Sequence, residues 1–132
     1  MYIPYFLGDV KGKFMAKYDM QLHQKYFELI KSGQKNIELR LFDEKRQKIK
    51  VGDIIAFASI QNKDEVVCCR VKKLFKAESF AILCDKIDCC KAGFNANSDL
   101  IDTMQRFYSL EKQKQYGVVG IELSLCEENY DN

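Results

Sequence analysis

Lys35, Glu38 and Arg40 are three ionisable residues in one short stretch, GQKNIELR. Residues 35–42 alternate apolar and polar side chains, as a half-buried strand does, so Glu38 and Arg40 are predicted to share one face. An arginine guanidinium is a planar fork of donors that fits a phosphate or a base edge, and a carboxylate on the same face can orient it. Lys35, at the strand entrance, adds a mobile positive charge. The alternative is an ordinary surface ion pair, which contributes ~0–1 kcal/mol.

The connection after this strand is a cluster of positive charge. Residues 45–50 hold four cations and no acid: Lys45, Arg46, Lys48 and Lys50. Beside the predicted site these side chains could hold phosphates. Each phosphate contact steepens the slope of log affinity against log salt concentration by nearly one unit. The alternative is a solvated polar turn.

Other side chains are candidates to line the same site. Histidine changes charge near neutral pH, so His23, the only histidine, is a candidate acid or base at the rim. The alternative is that His23 lies next to a helix N-cap and has no chemical role. Four aromatic residues could stack on a base, although aromatic residues at helical spacing also fill cores: Tyr26, Phe42, Tyr108 and Tyr116.

The six cysteines do not form a metal-binding pattern. There is no C-x-x-C, and His23 lies far from every cysteine in sequence. The nearest cluster is Cys84, Cys89 and Cys90, whereas a structural zinc site uses four ligands at regular spacing. We interpret the cysteines as small buried side chains and expect neither a metal nor a cofactor.

Length and composition indicate one ordinary globular domain. The chain has 132 residues, 47% hydrophobic and 30% charged, and a formal net charge of +2, so any basic site must be local. No apolar run approaches the ~20 residues of a membrane span, and the N-terminus lacks the features of a signal peptide. We therefore expect a cytoplasmic protein without membrane contact.

Periodicity and turn signals predict the elements that must position these residues. Strands are predicted at residues 17–22, 35–42, 54–60, 65–75 and 117–125. Helices are predicted at 24–32, over most of 78–91 and from an N-cap at Ser98, and Ser109 is predicted to cap a further turn. Short turns between the strands favour antiparallel pairing, and the order indicates an α+β fold, a small mixed or antiparallel β-barrel with flanking helices.

Three segments divide the chain in this interpretation. Residues 15–126 form the single domain. Residues 1–14 are an N-terminal extension or an extra edge strand from Tyr2 to Leu7, and residues 127–132 are an acidic tail.

Gly33-x-Lys35-x-x-Glu38-x-Arg40 resembles the GxKxxExR signature of the ASCH domain (activating signal cointegrator homology), a branch of the PUA-like superfamily. The resemblance covers about Met15 to Leu125 and is greatest to small stand-alone bacterial or phage-like members. The VGD turn at 51–53 and the last strand, YGVVGIEL, follow in the same order. The resemblance implies a PUA-like pseudo-barrel with a cleft beside the motif, and RNA or another nucleic acid as its partner.

One similar bacterial branch is an amidohydrolase of acetylcytidine nucleosides that uses the motif lysine, a threonine and a later carboxylate. Lys35 matches the lysine. Glu38 stands where that branch has threonine, and either Glu78 or Asp85 could match the later acid.

The leading hypothesis is an RNA- or nucleotide-binding module, with the cleft around Lys35, Glu38 and Arg40 and the basic connection on the phosphates. The alternative is a small hydrolase of a modified nucleoside or of RNA, with Lys35 as activated amine or general base and Glu38 as proton shuttle. A third hypothesis is a regulator that binds other proteins.

Overall fold

The computed structural model describes the backbone of residues 5–10 and 13–127 and the side chains of residues 15–127. The expected strand from Tyr2 therefore lies partly outside the described residues, and so does the expected acidic tail beyond residue 127.

Six strands and four helices make up the described chain. The strands are β1 Tyr5–Val10, β2 Lys13–Leu22, β3 Ile37–Leu41, β4 Ile54–Ser59, β5 Val66–Ala77 and β6 Val118–Leu125. The helices are α1 Gln24–Lys31, α2 Phe80–Leu83, α3 Asn97–Phe107 and α4 Leu110–Tyr116. Short 3₁₀ turns lie at Arg46–Lys48 and Cys89–Ala92.

The strands form one sheet in the order β1-β2-β4-β5-β6-β3. All neighbours are antiparallel, as the short turns predict, except β2 and β4, which pair in parallel from Lys17 opposite Ile54 to Leu22 opposite Ser59. This parallel pair makes the sheet mixed, and it forms because α1 and β3 lie between the two strands in sequence and return the chain in its original direction. The sheet curls into a half-barrel, so the predicted α+β, PUA-like fold is confirmed.

Side chains pack on both faces of the sheet. One apolar cluster joins α1 to β2, β4 and β5 around Phe27 and Phe57, and the other joins β3 to α2 and α3 around Phe80 and Leu100. Because β3 is covered on both faces, Glu38 is only 5% exposed. The interpretation of an ordinary surface ion pair is therefore excluded by burial.

Two helix predictions need correction. Residues 78–91 form a helix only at Phe80–Leu83, because the Asp88 carboxylate accepts a hydrogen bond from the Cys90 N–H and starts a separate 3₁₀ turn. Ser98 is not an N-cap, since α3 begins one residue earlier. Ser109 does cap α4, accepting from the Lys112 N–H.

Candidate functional site

Lys35 is held between the end of α1 and the 3₁₀ turn Cys89–Ala92. Gly33 has a φ of +84°, which lets the chain turn after α1, and the Lys35 N–H donates back to the Leu29 carbonyl. The Lys35 amine donates to the Ala92 carbonyl at 2.9 Å. The end of α1 therefore fixes the backbone of Lys35, and the 3₁₀ turn fixes its amine.

Glu38 lies between two cations. Its Oε1 is 3.2 Å from the Nζ of Lys35, and its Oε2 accepts from the Nε of Arg40 at 2.7 Å. The side chains of Lys35 and Arg40 are 3% and 13% exposed. Arg40 also donates from Nη2 to the Gln21 carbonyl at 2.9 Å, which links β3 to β2. We call these three residues the buried triad, and its net charge is positive.

Burial and charge compete in setting the pKa values of the buried triad. Burial lowers the pKa of the Lys35 amine, and the opposing attraction of Glu38 does not fully offset it. Burial favours a higher pKa for Glu38, but the neighbouring cations and their hydrogen bonds outweigh it and hold that pKa below its ordinary value. Burial likewise opposes the charge of Arg40, yet Glu38 raises its pKa.

The buried triad lines a cleft of about 190 Å³. The other lining side chains are mainly apolar or aromatic, among them Tyr26, Phe94, Met104, Phe107 and Tyr108. Phe107 is 52% exposed and presents an accessible ring. A few charged groups in a largely apolar cleft are typical of a small-molecule or base-binding site.

A second groove of about 340 Å³ adjoins the cleft, since Arg40 and Gln21 line both. Lys45 and Arg46 line this groove, and Arg46 also contacts the Asp43 carboxylate at 2.8 Å. Lys48 and Lys50 lie farther along the same connection and line neither the cleft nor the groove.

The remaining candidates divide between two places. His23 lines the cleft, with its ring 6.3 Å from that of Phe107. Tyr26 and Tyr108 also line it, and burial, followed by the charge of Glu38, raises the pKa of Tyr26. Phe42 and Tyr116 lie together in a different groove beside α4.

Several lining residues were missed by sequence reasoning. Phe94, Met104 and Phe107 are apolar, and apolar character in the sequence does not distinguish a cleft wall from a core. The carbonyls of Ala92 and Gln21, which accept from Lys35 and Arg40, carry no sequence signal at all because a backbone acceptor is common to every residue type.

Neither candidate for a later catalytic acid reaches the cleft. Glu78 lines the groove beside α4 and not the cleft, and Asp85 is absent from the cleft lining. Glu38 is the one carboxylate among the side chains that line the cleft in the described part of the chain.

All six cysteines are free thiols. Within the described residues, one group of three ligand-bearing side chains comes close enough for a metal ion, namely Asp88, Cys89 and Cys90, with ligand atoms within 4.8 Å of one another. The Asp88 charge, with that of Cys89, raises the pKa of the exposed Cys90 thiol. This group offers three ligands, one fewer than the four of a structural zinc site.

No helix in residues 5–10 and 13–127 has the length and apolar character needed to cross a membrane.

The curled α+β half-barrel is a PUA-like fold. A model of the ASCH domain matches residues 20–127, and the chain belongs to this family. ASCH domains as a class are inferred to bind RNA.

Solved structures agree with this assignment. The crystal structure of hypothetical protein PH0355 is 38% identical, with a TM-score of 0.74 over 83% of this chain and 99% of the other. The solution structure of protein PF0455 from Pyrococcus furiosus is 37% identical, with a TM-score of 0.65 over 84% and 98%. An ASCH protein from Zymomonas mobilis shares the fold at 12% identity, with a TM-score of 0.57 over 82% and 66%. None of the curated proteins matches the chain.

Proposed function

We propose that this protein binds RNA, or a nucleotide of RNA, with one base in the cleft and phosphates in the adjoining groove. The observation that carries the proposal is the position of Arg40. This residue belongs to the buried triad on the wall of the apolar cleft and also lines the basic groove next to it.

The guanidinium of Arg40 retains capacity for a ligand. An arginine carries five N–H groups. Among the described residues, Arg40 donates to Glu38 through Nε and to the Gln21 carbonyl through Nη2. These two bonds fix the plane of the guanidinium, so its other N–H groups are pre-organised for a phosphate or a base edge.

The two cavities suit the two parts of a nucleotide. The aromatic rings of Tyr26, Phe107 and Tyr108 offer stacking surfaces, and stacking on an aromatic ring stabilises a bound base by ~1–3 kcal/mol. His23 at the mouth offers a hydrogen bond to the base edge. Lys45 and Arg46 face the phosphates in the groove, with Lys48 and Lys50 assigned to flanking phosphates.

The test is binding of a short single-stranded RNA to wild type and to Arg40→Lys, which retains the charge but not the planar fork. We expect at least tenfold weaker binding. Because Arg40 also supports the fold, Phe107→Ala serves as a second variant. Val51→Ala is its control, since Val51 is 62% exposed and does not line the cleft. RNA affinity unchanged in both Arg40→Lys and Phe107→Ala would overturn the proposal.

Hydrolysis of a modified nucleoside is the second candidate function, and the observation that favours it is the state of the Lys35 amine. The amine lies in the cleft, burial lowers its pKa, and the Glu38 carboxylate, 3.2 Å away, orients it. This function predicts turnover of an N-acylated nucleoside that is lost in Lys35→Met. Tight binding of such nucleosides without any conversion by wild type would contradict it.

A further inference from the structure

Two further cavities, a channel and an open groove, follow the cleft around α4. A channel of about 590 Å³ begins at Phe107 and Tyr108, which also line the cleft. The channel leads to Tyr116, which also lines a larger open groove of about 1150 Å³. Because each cavity shares lining residues with the next, the cleft, channel and groove are neighbours in that order.

Exposed cations follow this surface beyond the cleft. The channel contains Arg106 and Lys112, and the open groove contains Lys76, Lys86 and Lys114. We call these five residues, together with the rings of Tyr116 and Phe42, the basic track. Two acids line the same cavities, Asp43 and Glu78, and Asp43 is paired with Arg46 at 2.8 Å. The five cations outnumber the two acids, so the lining is net positive in a chain of net charge +2.

Each of the two aromatic rings in the basic track lies against a cation. The Nζ of Lys112 lies 5.7 Å from the centre of the Tyr116 ring, and that of Lys76 lies 4.8 Å from the centre of the Phe42 ring. Proteins that bind single strands combine positive charge that follows the backbone with aromatic rings on which bases stack. The repeated pairing of ring and cation fits such a strand.

We propose that the basic track binds the continuation of a single-stranded RNA whose anchoring base occupies the cleft. This inference rests on the proposed function and adds a second site with its own residues. The strand passes from Arg40 and Phe107 over α4 to Phe42 and Lys76. An acidic peptide would match the charge, but the two pairs of ring and cation favour bases and phosphates over carboxylates.

Length dependence separates the basic track from the cleft. A dinucleotide reaches the cleft alone, whereas an oligouridine of about ten nucleotides also reaches the basic track. We expect the longer RNA to bind at least tenfold more tightly and with a steeper salt dependence, because it releases more counterions.

The decisive variant is Lys112→Gln/Lys114→Gln. Both lysines are exposed on α4, and glutamine has a helix propensity close to that of lysine, so the fold is retained. We expect the affinity for the longer RNA to fall about tenfold and its logarithmic salt slope to decrease by about 1.4, with no change for the dinucleotide. Tyr116→Leu, which retains apolar bulk without an aromatic face, should weaken the longer RNA alone.

The matched control is Lys72→Gln/Lys73→Gln. It removes the same charge from β5, and neither lysine lines the cleft, the channel or the open groove. If this control loses as much affinity for the longer RNA as the α4 variant does, the loss reflects net charge alone, and the proposal is overturned.

Three other outcomes would also decide whether the basic track binds RNA. Equal affinity of the dinucleotide and the longer RNA, with both sensitive to Phe107→Ala, would overturn the basic track and leave the cleft proposal intact. Binding of neither RNA would overturn both. Unchanged RNA binding by the α4 variant, together with lost binding of an acidic peptide such as oligoglutamate, would show that the surface serves a protein partner.

Discussion

At the scale of single residues, the burial of Glu38 between Lys35 and Arg40 requires an explanation. Removing three charged groups from water is costly, and apolar residues of similar size often stabilise a fold as well or better. The buried triad is therefore weak evidence for stability. Its position on the wall of a cleft supports the view that it is retained for a ligand.

Glu38→Gln should destabilise the fold strongly. The variant leaves Lys35 and Arg40 buried without an anion, and breaking a buried charge pair in this way typically costs 3–5 kcal/mol, so we expect a loss of about 3 kcal/mol once Lys35 releases its proton. Urea-induced unfolding at neutral pH measures this difference.

The exposed pair of Lys31 and Glu65 is the control for this prediction. Its atoms are 3.6 Å apart, and the side chains are 57% and 32% exposed. Glu65→Gln should therefore change the free energy of unfolding by less than about 1 kcal/mol. A similarly small loss in Glu38→Gln would mean that the triad is well solvated in the native protein.

At the scale of elements, the structure of residues 84–93 could not be predicted from the sequence. Phe80, Leu83, Cys84 and Ile87 have helical spacing, but the chain leaves the helix after Leu83 and turns again at Asp88. The turn brings the Lys91 carbonyl to the Asn36 N–H and the Ala92 carbonyl to Lys35. Periodicity reports which side chains are apolar, whereas these contacts join backbone groups that are distant in sequence.

Gly93→Ala should disturb both this turn and the cleft. Gly93 has a φ of +94°, which costs an L-residue ~1–2 kcal/mol, and an added Cβ would lie 3.4 Å from the Cδ of Lys35. We expect a loss of about 1 kcal/mol in unfolding free energy and several-fold weaker binding of RNA. Urea unfolding and RNA titration of the same preparation measure the two effects.

Gly33→Ala is the control that introduces backbone strain without a new contact with Lys35. Gly33 has a φ of +84°, and an added Cβ would meet nothing within 4 Å. The two variants should therefore lose similar stability, with RNA binding weakened in Gly93→Ala alone. Equal RNA affinities would show that the Gly93 turn does not position Lys35 for the ligand.

At the scale of the whole molecule, the order of elements was predictable but the order of strands was not. Each strand except β1 carries a local signal of periodicity and turn residues, so its place in the sequence could be inferred. The parallel pairing of β2 with β4, and the place of β3 at the end of the sheet next to β6, depend on contacts between distant segments. The Arg40 bond to Gln21 that joins β3 to β2 could not be inferred for the same reason.

The stability of the molecule as a whole should fall in alkaline solution through Cys69. This thiol lies on β5 in the apolar cluster, 1% exposed, and burial, with smaller effects of Cys126 and Cys68, raises its pKa from 9.0 to about 12. A raised pKa in the folded state gives stability that is complete below pH 9 and is lost as pH rises towards 12, in total about 4 kcal/mol.

Urea unfolding of Cys69→Ala and wild type at several pH values measures this effect. The variant should be less stable than wild type at neutral pH, because packing is lost, but its free energy of unfolding should decline less steeply above pH 9. Cys68→Ala, on the opposite face of the same strand, is the control and should retain the wild-type decline. An equal alkaline decline in Cys69→Ala and wild type would mean that the Cys69 thiol ionises without opening the core.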